Sequence, residues 1–212
     1  MQSLSSYDKG RRAFEGRRYT KDIAAGNHGM DLFMEPIYAE KERCMQDGVE
    51  WDPTFDFAMG NHEERILRAT DIQPELDGLI GYKDFNLVKH GWTVHQYLEV
   101  FQLDGVSFAH YFASGVMNRS ITSARALLTK QFCSCVQGHV QKRDIAVDYT
   151  ADGRTITGLM LGSFYQHREN YLGPQVNAKT WHGLHYAYNV RDGEFSANAV
   201  DLAYLRDRFS GK

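Results

Sequence analysis

The apolar positions of the chain change their period along its length. In residues 19–44 they fall at Ile23, Met30, Phe33, Met34, Ile37 and Cys44, close to the three-and-four spacing of a helix that buries one side. Pro36 sits inside that run and predicts a kink or interruption, because it has no N–H to give to the preceding turn. Asp47-Gly48 marks the end. The first 18 residues are polar and basic, with Gly10 and Gly16, and read as a loop. Residues 55–59 form a short strand pattern, Gly60 follows at once, and a helix of about two turns runs on through Ile66 and Leu67. Farther along the period drops to two. Residues 93–101 and 106–110 predict two strands about Leu103-Asp104-Gly105. Residues 120–130 predict a helix with Ser120 or Thr122 as N-cap. Residues 132–137 predict a strand ending at Gly138-His139. Two hairpins follow, 145–150 with 155–161 around Asp152-Gly153, and 184–190 with 195–200 around Asp192-Gly193. Residues 202–209 close the chain as a short helix. No repeat, linker or low-complexity block divides the 212 residues, so the pattern predicts one α/β sandwich domain over residues 1–212.

Composition narrows the partners. A formal charge of −3 argues against gripping nucleic acid by bulk charge, since that grip needs clustered Lys and Arg. Arg11, Arg12, Arg17 and Arg18 form a local basic loop that reads first as a solvated segment. The three cysteines, Cys44, Cys133 and Cys135, are too few for a disulfide framework. Cys133 and Cys135 fall on one face of a strand, and all three read as reduced residues of a cytoplasmic protein. No run approaches the roughly 20 apolar residues of a membrane span. The segment Met1-Gln2-Ser3-Leu4 lacks the build of a signal peptide.

Three strand ends carry the chemistry. Asn61 and His62 follow Met59, His110 follows Phe108-Ala109, and His139 follows Gln137-Gly138. Ligands of open sheets collect at the carboxyl ends of strands. Imidazole nitrogens and an amide oxygen suit Mn, Fe or Zn. A single His at a strand end is more often a satisfied polar residue than a ligand, and Gly-Asn-His-Glu alone recurs by chance. The ordered set carries the reading: strand, GNHE, helix, then strand and His, then helix, strand and Gly-His.

That order resembles the calcineurin-like metallophosphoesterases, especially small phage and bacterial ones. Their signature runs D-x-H, G-D-x-x-D/N, G-N-H-D/E, a lone His, then G-H-x-H. This chain has Gly60-Asn61-His62-Glu63, His110, and Gly138-His139-Val140-Gln141. The resemblance implies a β-sandwich flanked by helices and a phosphate mono- or diester hydrolase acting through metal-activated water. The family uses two divalent ions, Mn, Fe or Zn. Asn61, His110 and His139 would hold one ion, and Gln141 stands where the last His is expected, with an oxygen that can bind a hard cation. His62 would protonate the leaving oxygen, and Glu63 would orient it. The substrate is expected to be a phosphate ester, by analogy with phage relatives on nucleic acid or nucleotides, and the setting a bacterial or phage-infected host cytoplasm. Arg65 and Arg68 are candidates for substrate phosphate, and Tyr165, His167 and Tyr171 for the cleft wall.

The chain also departs from the signature. It contains no D-x-H and no Gly-Asp dipeptide. The domain is therefore expected to be N-terminally incomplete, to hold one ion rather than two, and to begin at an internal Met of a longer ancestral frame. Missing strands expose sheet edges, so a complementing N-terminal polypeptide or a homo-oligomer is the expected partner. An inactive remnant or partial subunit is the rival reading. Asp8, Asp22 and Asp31 are the carboxylates available as replacements. His90, His95, His182 and His185 have no motif and read as structural or exposed, and Trp51, Trp92 and Trp181 as packing residues.

Overall fold

Helix α1, Tyr19–Gln46, runs unbroken through Pro36 in the computed structural model, which describes residues 2–6, 8–167 and 173–210. The expected interruption is absent. Pro36 and Leu32, the residue one turn earlier, are both exposed, so the helical bond lost at the proline lies on the solvated side. Few of the helix's apolar residues are fully buried; Met34 and Cys44 are. A polar stripe does much of the anchoring. The Asn27 amide donates to the Asp84 carbonyl and accepts the Asn86 N–H, each at 2.9 Å. Asp31 lies 2.7 Å from His90 Nε2 and 2.9 Å from Lys89 Nζ. Tyr38 Oη lies 2.8 Å from His90 Nδ1. These positions are four and seven residues apart and share one helix side. At the helix start, Tyr19 Oη donates to Asp84 Oδ2 at 2.5 Å.

Strands β1, Phe55–Ala58, and β2, Trp92–His95, pair in parallel, Phe55 opposite Trp92 and Ala58 opposite His95. Helix α2, Arg65–Ile72, and three short 3-10 turns make the long crossover that parallel pairing requires. Side chains alternate as the pleat demands. Phe55 and Phe57 pack on Trp92, with ring centroids 5.3 and 6.0 Å away, while Asp56 and His95 share the other face. The single strand expected over 93–101 does not form. Leu98 has φ 67°, a left-handed conformation that turns the backbone out of the extended run. Here the chain divides into two compact units, Met1–Tyr97 and Leu98–Lys212.

The second unit is built on a five-stranded sheet in the order β3-β4-β7-β9-β8. Its strands are β3 (Phe101–Leu103), β4 (Val106–Ala109), β7 (Cys135–Gln137), β8 (Arg143–Tyr149) and β9 (Thr155–Leu161). The pairs β4–β7 and β7–β9 are parallel, and the outer pairs are antiparallel. Between β4 and β7 lie the small ladder of β5 (Ala113–Ser114) and β6 (Arg119–Ser120) and helix α3 (Ala124–Gln131). After β9 come α4 (Pro174–Asn177), the antiparallel hairpin of β10 (Gly183–Arg191) and β11 (Glu194–Asp201), and α5 (Leu202–Phe209).

Alternation sends neighbours on one strand to different cores. Ala109, Cys135 and Met160 pack with Phe112, Ile121 and Leu127 of the α3 side. Val106, Val136 and Leu159 pack with Phe195 of the hairpin. The α3 face is tight at Gly158, where a Cβ would stand 2.6 Å from the Ala124 carbonyl oxygen. The α3 N-cap is Ser123, whose Oγ accepts the Ala126 N–H at 3.2 Å, rather than Ser120 or Thr122. Ser120 is spent in β6, and Ser123 has the extended backbone a cap needs. Phe132 ends α3 in the left-handed region, so the next strand starts at Cys135 rather than 132. All three cysteines are free thiols. At the start of β4 two turns touch: the Gly193 N–H donates to the Asp104 carbonyl at 2.8 Å, and a Cβ on Gly105 would lie 2.7 Å from Gly193 N. The chain is thus a mixed α/β protein with several small sheets. Among the described residues no helix is long and apolar enough to cross a membrane.

Candidate functional site

In the first unit, the end of β1 turns directly into α2. The Glu63 carboxylate accepts the Gly60 N–H at 3.0 Å, and the Glu64 N–H donates to the Gly60 carbonyl at 3.0 Å. This reciprocal closure folds Asn61 and His62 into a tight, half-buried turn, and the Glu63 carboxylate binds the backbone of that turn. Arg65 opens α2 and is half-buried, while Arg68 is exposed. Beside the turn, His95 Nε2 lies 2.8 Å from Asp56 Oδ1, both mostly buried, and the His95 carbonyl accepts the Met59 N–H at 2.9 Å. An Asp between two phenylalanines of a strand was the signal for this pair.

In the second unit, β4, β7 and β9 run parallel, so their carboxyl ends share one edge. His110 leaves the first and His139 the second. His110 Nε2 and His139 Nδ1 stand 3.2 Å apart, with the rings nearly perpendicular. The Gly138 N–H donates to the His110 carbonyl at 3.2 Å. Gln137 steadies the loop after His110: fully buried, it accepts the Phe112 N–H at 3.0 Å and donates to the Ile121 carbonyl at 2.8 Å. Tyr111 packs its ring 4.7 Å from that of His139. His139 keeps an exposed surface, yet loss of water around the ring pushes its pKa below the usual histidine value. A neutral imidazole is the form that binds a metal.

The donors fit a divalent ion. Two nitrogens each about 2.0–2.1 Å from one tetrahedral ion stand about 3.3–3.4 Å apart. A separation of 3.2 Å therefore suits two ligands of one ion, as it suits one shared proton in its absence. Gln141, two residues on, offers an amide oxygen. His139 and Gln141 both take positive φ, 62° and 60°, an unfavoured conformation for such residues. Trp181 N–H holds the Gln141 carbonyl at 3.0 Å. Among the described residues, no three His, Cys, Asp or Glu side chains gather as a ligand set of those types alone.

The third strand end adds residues that sequence reasoning underweighted. After β9, Ser163 Oγ lies 3.0 Å from His182 Nδ1 and 3.1 Å from the Trp181 carbonyl. Tyr165 lies between His167, stacked at 4.5 Å, and His182, edge-on at 4.7 Å. Its hydroxyl donates to Gln141 Oε1 at 3.0 Å. Tyr165 and His167 thus join Gln141, while Tyr171 lies outside the described residues.

Other expectations resolve locally. Asp8 pairs with Arg11 at 3.6 Å, Asp22 accepts from both Ser3 N and Oγ at 2.8 Å, and Asp31 serves Lys89 and His90. Arg11, Arg12, Arg17 and Arg18 are exposed. Trp92 packs as expected, Trp181 donates its indole N–H to Asp201 at 2.7 Å, and Trp51 is exposed rather than packed in a core. Compared with known proteins, the chain matches no family model, no curated protein and no solved structure.

Proposed function

We propose that the chain is a metal-dependent phosphoesterase of the calcineurin-like kind, hydrolysing phosphate mono- or diesters. The observation that carries this reading is the His110–His139 nitrogen pair, set at ligand spacing on the carboxyl edge of three parallel strands. In support stand a sheet flanked by α3 on one face and a hairpin on the other, and the closed GNHE turn. His110, His139 and the Gln141 oxygen would hold the ion, Mn, Fe or Zn. When bound, divalent ions supply Lewis acidity: they make water acidic enough to attack near neutral pH and neutralise phosphate oxygens. The resemblance gives His62 the proton for the leaving oxygen, on a turn that the Glu63 carboxylate closes at the Gly60 N–H. His167 binds a substrate oxygen as a donor.

The test is a Mn²⁺ titration of the purified chain followed by hydrolysis of bis(p-nitrophenyl) phosphate. Saturable Mn²⁺ binding and turnover, both lost in His139→Ala, is the expected result. Binding without turnover would favour the second reading, a partial subunit, to which the absence of D-x-H and Gly-Asp points. Turnover would then appear on adding a polypeptide that carries those motifs. Absence of Mn²⁺ binding would overturn the proposal.

A further inference from the structure

We infer that Tyr165 is a positioning residue for Gln141, holding its amide oxygen ready for the cation. This rests on the functional reading above and deepens it. An amide oxygen has two lone pairs. The Tyr165 hydroxyl takes one of those on Gln141 Oε1 at 3.0 Å, leaving the other for an ion. Groups that donate to metal-binding side chains in this way orient them and tune their affinity.

Every element around this bond restricts it. The Gln141 backbone is held by the Trp181 N–H at its carbonyl, 3.0 Å, and by its own left-handed conformation. The Tyr165 ring is flanked by His167 and by His182. His182 is itself fixed. One hydroxyl proton on Ser163 cannot serve both of its neighbours, and the Trp181 carbonyl can only accept. Ser163 Oγ therefore donates to that carbonyl and accepts from His182 Nδ1–H. A fixed His182 ring fixes the edge against which Tyr165 packs. The chain Ser163–His182–Tyr165–Gln141 is a rigid bracket from the end of β9 to the loop after β7. A metal-bound histidine at position 141 would have only an N–H on its other ring nitrogen and could not accept the Tyr165 hydroxyl proton; the glutamine oxygen, with its second lone pair, can.

The test measures Mn²⁺ affinity by electron paramagnetic resonance for the wild-type chain, Tyr165→Phe, Gln141→His and the double variant. Circular dichroism and the thermal midpoint check that each stays folded. Tyr165→Phe is expected to weaken Mn²⁺ by about ten- to hundred-fold in the wild-type background, the usual effect of removing an outer hydrogen bond to a ligand. In the Gln141→His background the same change should cost less than about two-fold, as for uncoupled sites. An unchanged affinity in Tyr165→Phe overturns the inference, and so does an equal loss in both backgrounds. If the wild-type chain binds no Mn²⁺, or if His139→Ala binds it equally well, the functional reading falls together with the inference.

Discussion

The side-chain oxygen of Gln137 accepts the backbone N–H of Phe112 at 3.0 Å, inside the protein and out of reach of water. With its NH₂ on the Ile121 carbonyl, the amide replaces a peptide group and closes the loop that starts at His110. Gln137→Leu keeps the volume but leaves a buried N–H and a buried carbonyl without that partner. The Phe112 N–H is left unmatched while the Ile121 carbonyl still accepts the Ser120 hydroxyl at 3.1 Å, so the change should cost about 1–3 kcal/mol, one desolvated group, read as a lower urea midpoint at unchanged slope.

His62 is expected to matter in proportion to how badly the leaving group needs a proton. His62→Ala should lower kcat by about 10²–10⁴ on an alkyl phosphodiester, the usual worth of a positioned acid. It should do far less on a p-nitrophenyl ester, whose leaving group departs without help. Steady-state rates on the two substrates check this. Equal losses on both would remove His62 from the acid role.

Gly158 tests the packing of α3 on the sheet. A Cβ there would meet the Ala124 carbonyl oxygen at 2.6 Å and the Leu128 side chain at 3.2 Å. Backbone cannot move aside as a flexible side chain can, so Gly158→Ala should destabilise by about 1–3 kcal/mol. Chemical denaturation measures it.

His185 sets a pH dependence. Burial pushes its pKa below the usual value, the nearby Arg143 charge pushes it further, and a bond to the Leu161 backbone partly opposes both. Its ring packs on Trp181, and its buried Nε2 has no hydrogen-bond partner among the described residues. The unfolded chain takes up this proton near pH 6.5, and the folded chain only at lower pH. In that window the unfolded state binds more protons, so stability rises with pH. The contribution is complete above about pH 6.5 and is lost as the pH falls below it. Urea midpoints between pH 5 and 8 should show this slope, made shallower in His185→Leu.

How much of this could be read in advance depends on where the deciding interaction lies. The hairpins at Asp152-Gly153 and Asp192-Gly193 were legible because their turn residues supply the positive φ locally. The meeting of His110 and His139 was legible in outline, since each follows an apolar strand that ends at one edge. The break after His95 was not: the alternation continues to Phe101, and Leu98 has no side chain that favours its φ of 67°. The N-cap at Ser123 was misplaced because three hydroxyl residues crowd four positions from Ser120 to Ser123. Tyr165 and His182 escaped notice as partners because they meet only when the segment after α4 returns to the end of β9, a contact no local pattern encodes.

The touching turns at Asp104-Gly105 and Gly193 lie at the start of β4, and the imidazoles lie at its other end. The unit is therefore knotted shut at one margin and chemically open at the other. Evolution can work on such an arrangement in two independent currencies. Replacements at the open margin, such as one at Gln141, change the side chains presented there without loosening the clasp. Replacements at the clasp test foldability alone. A lineage built this way can vary the groups on its open margin while its architecture stays put.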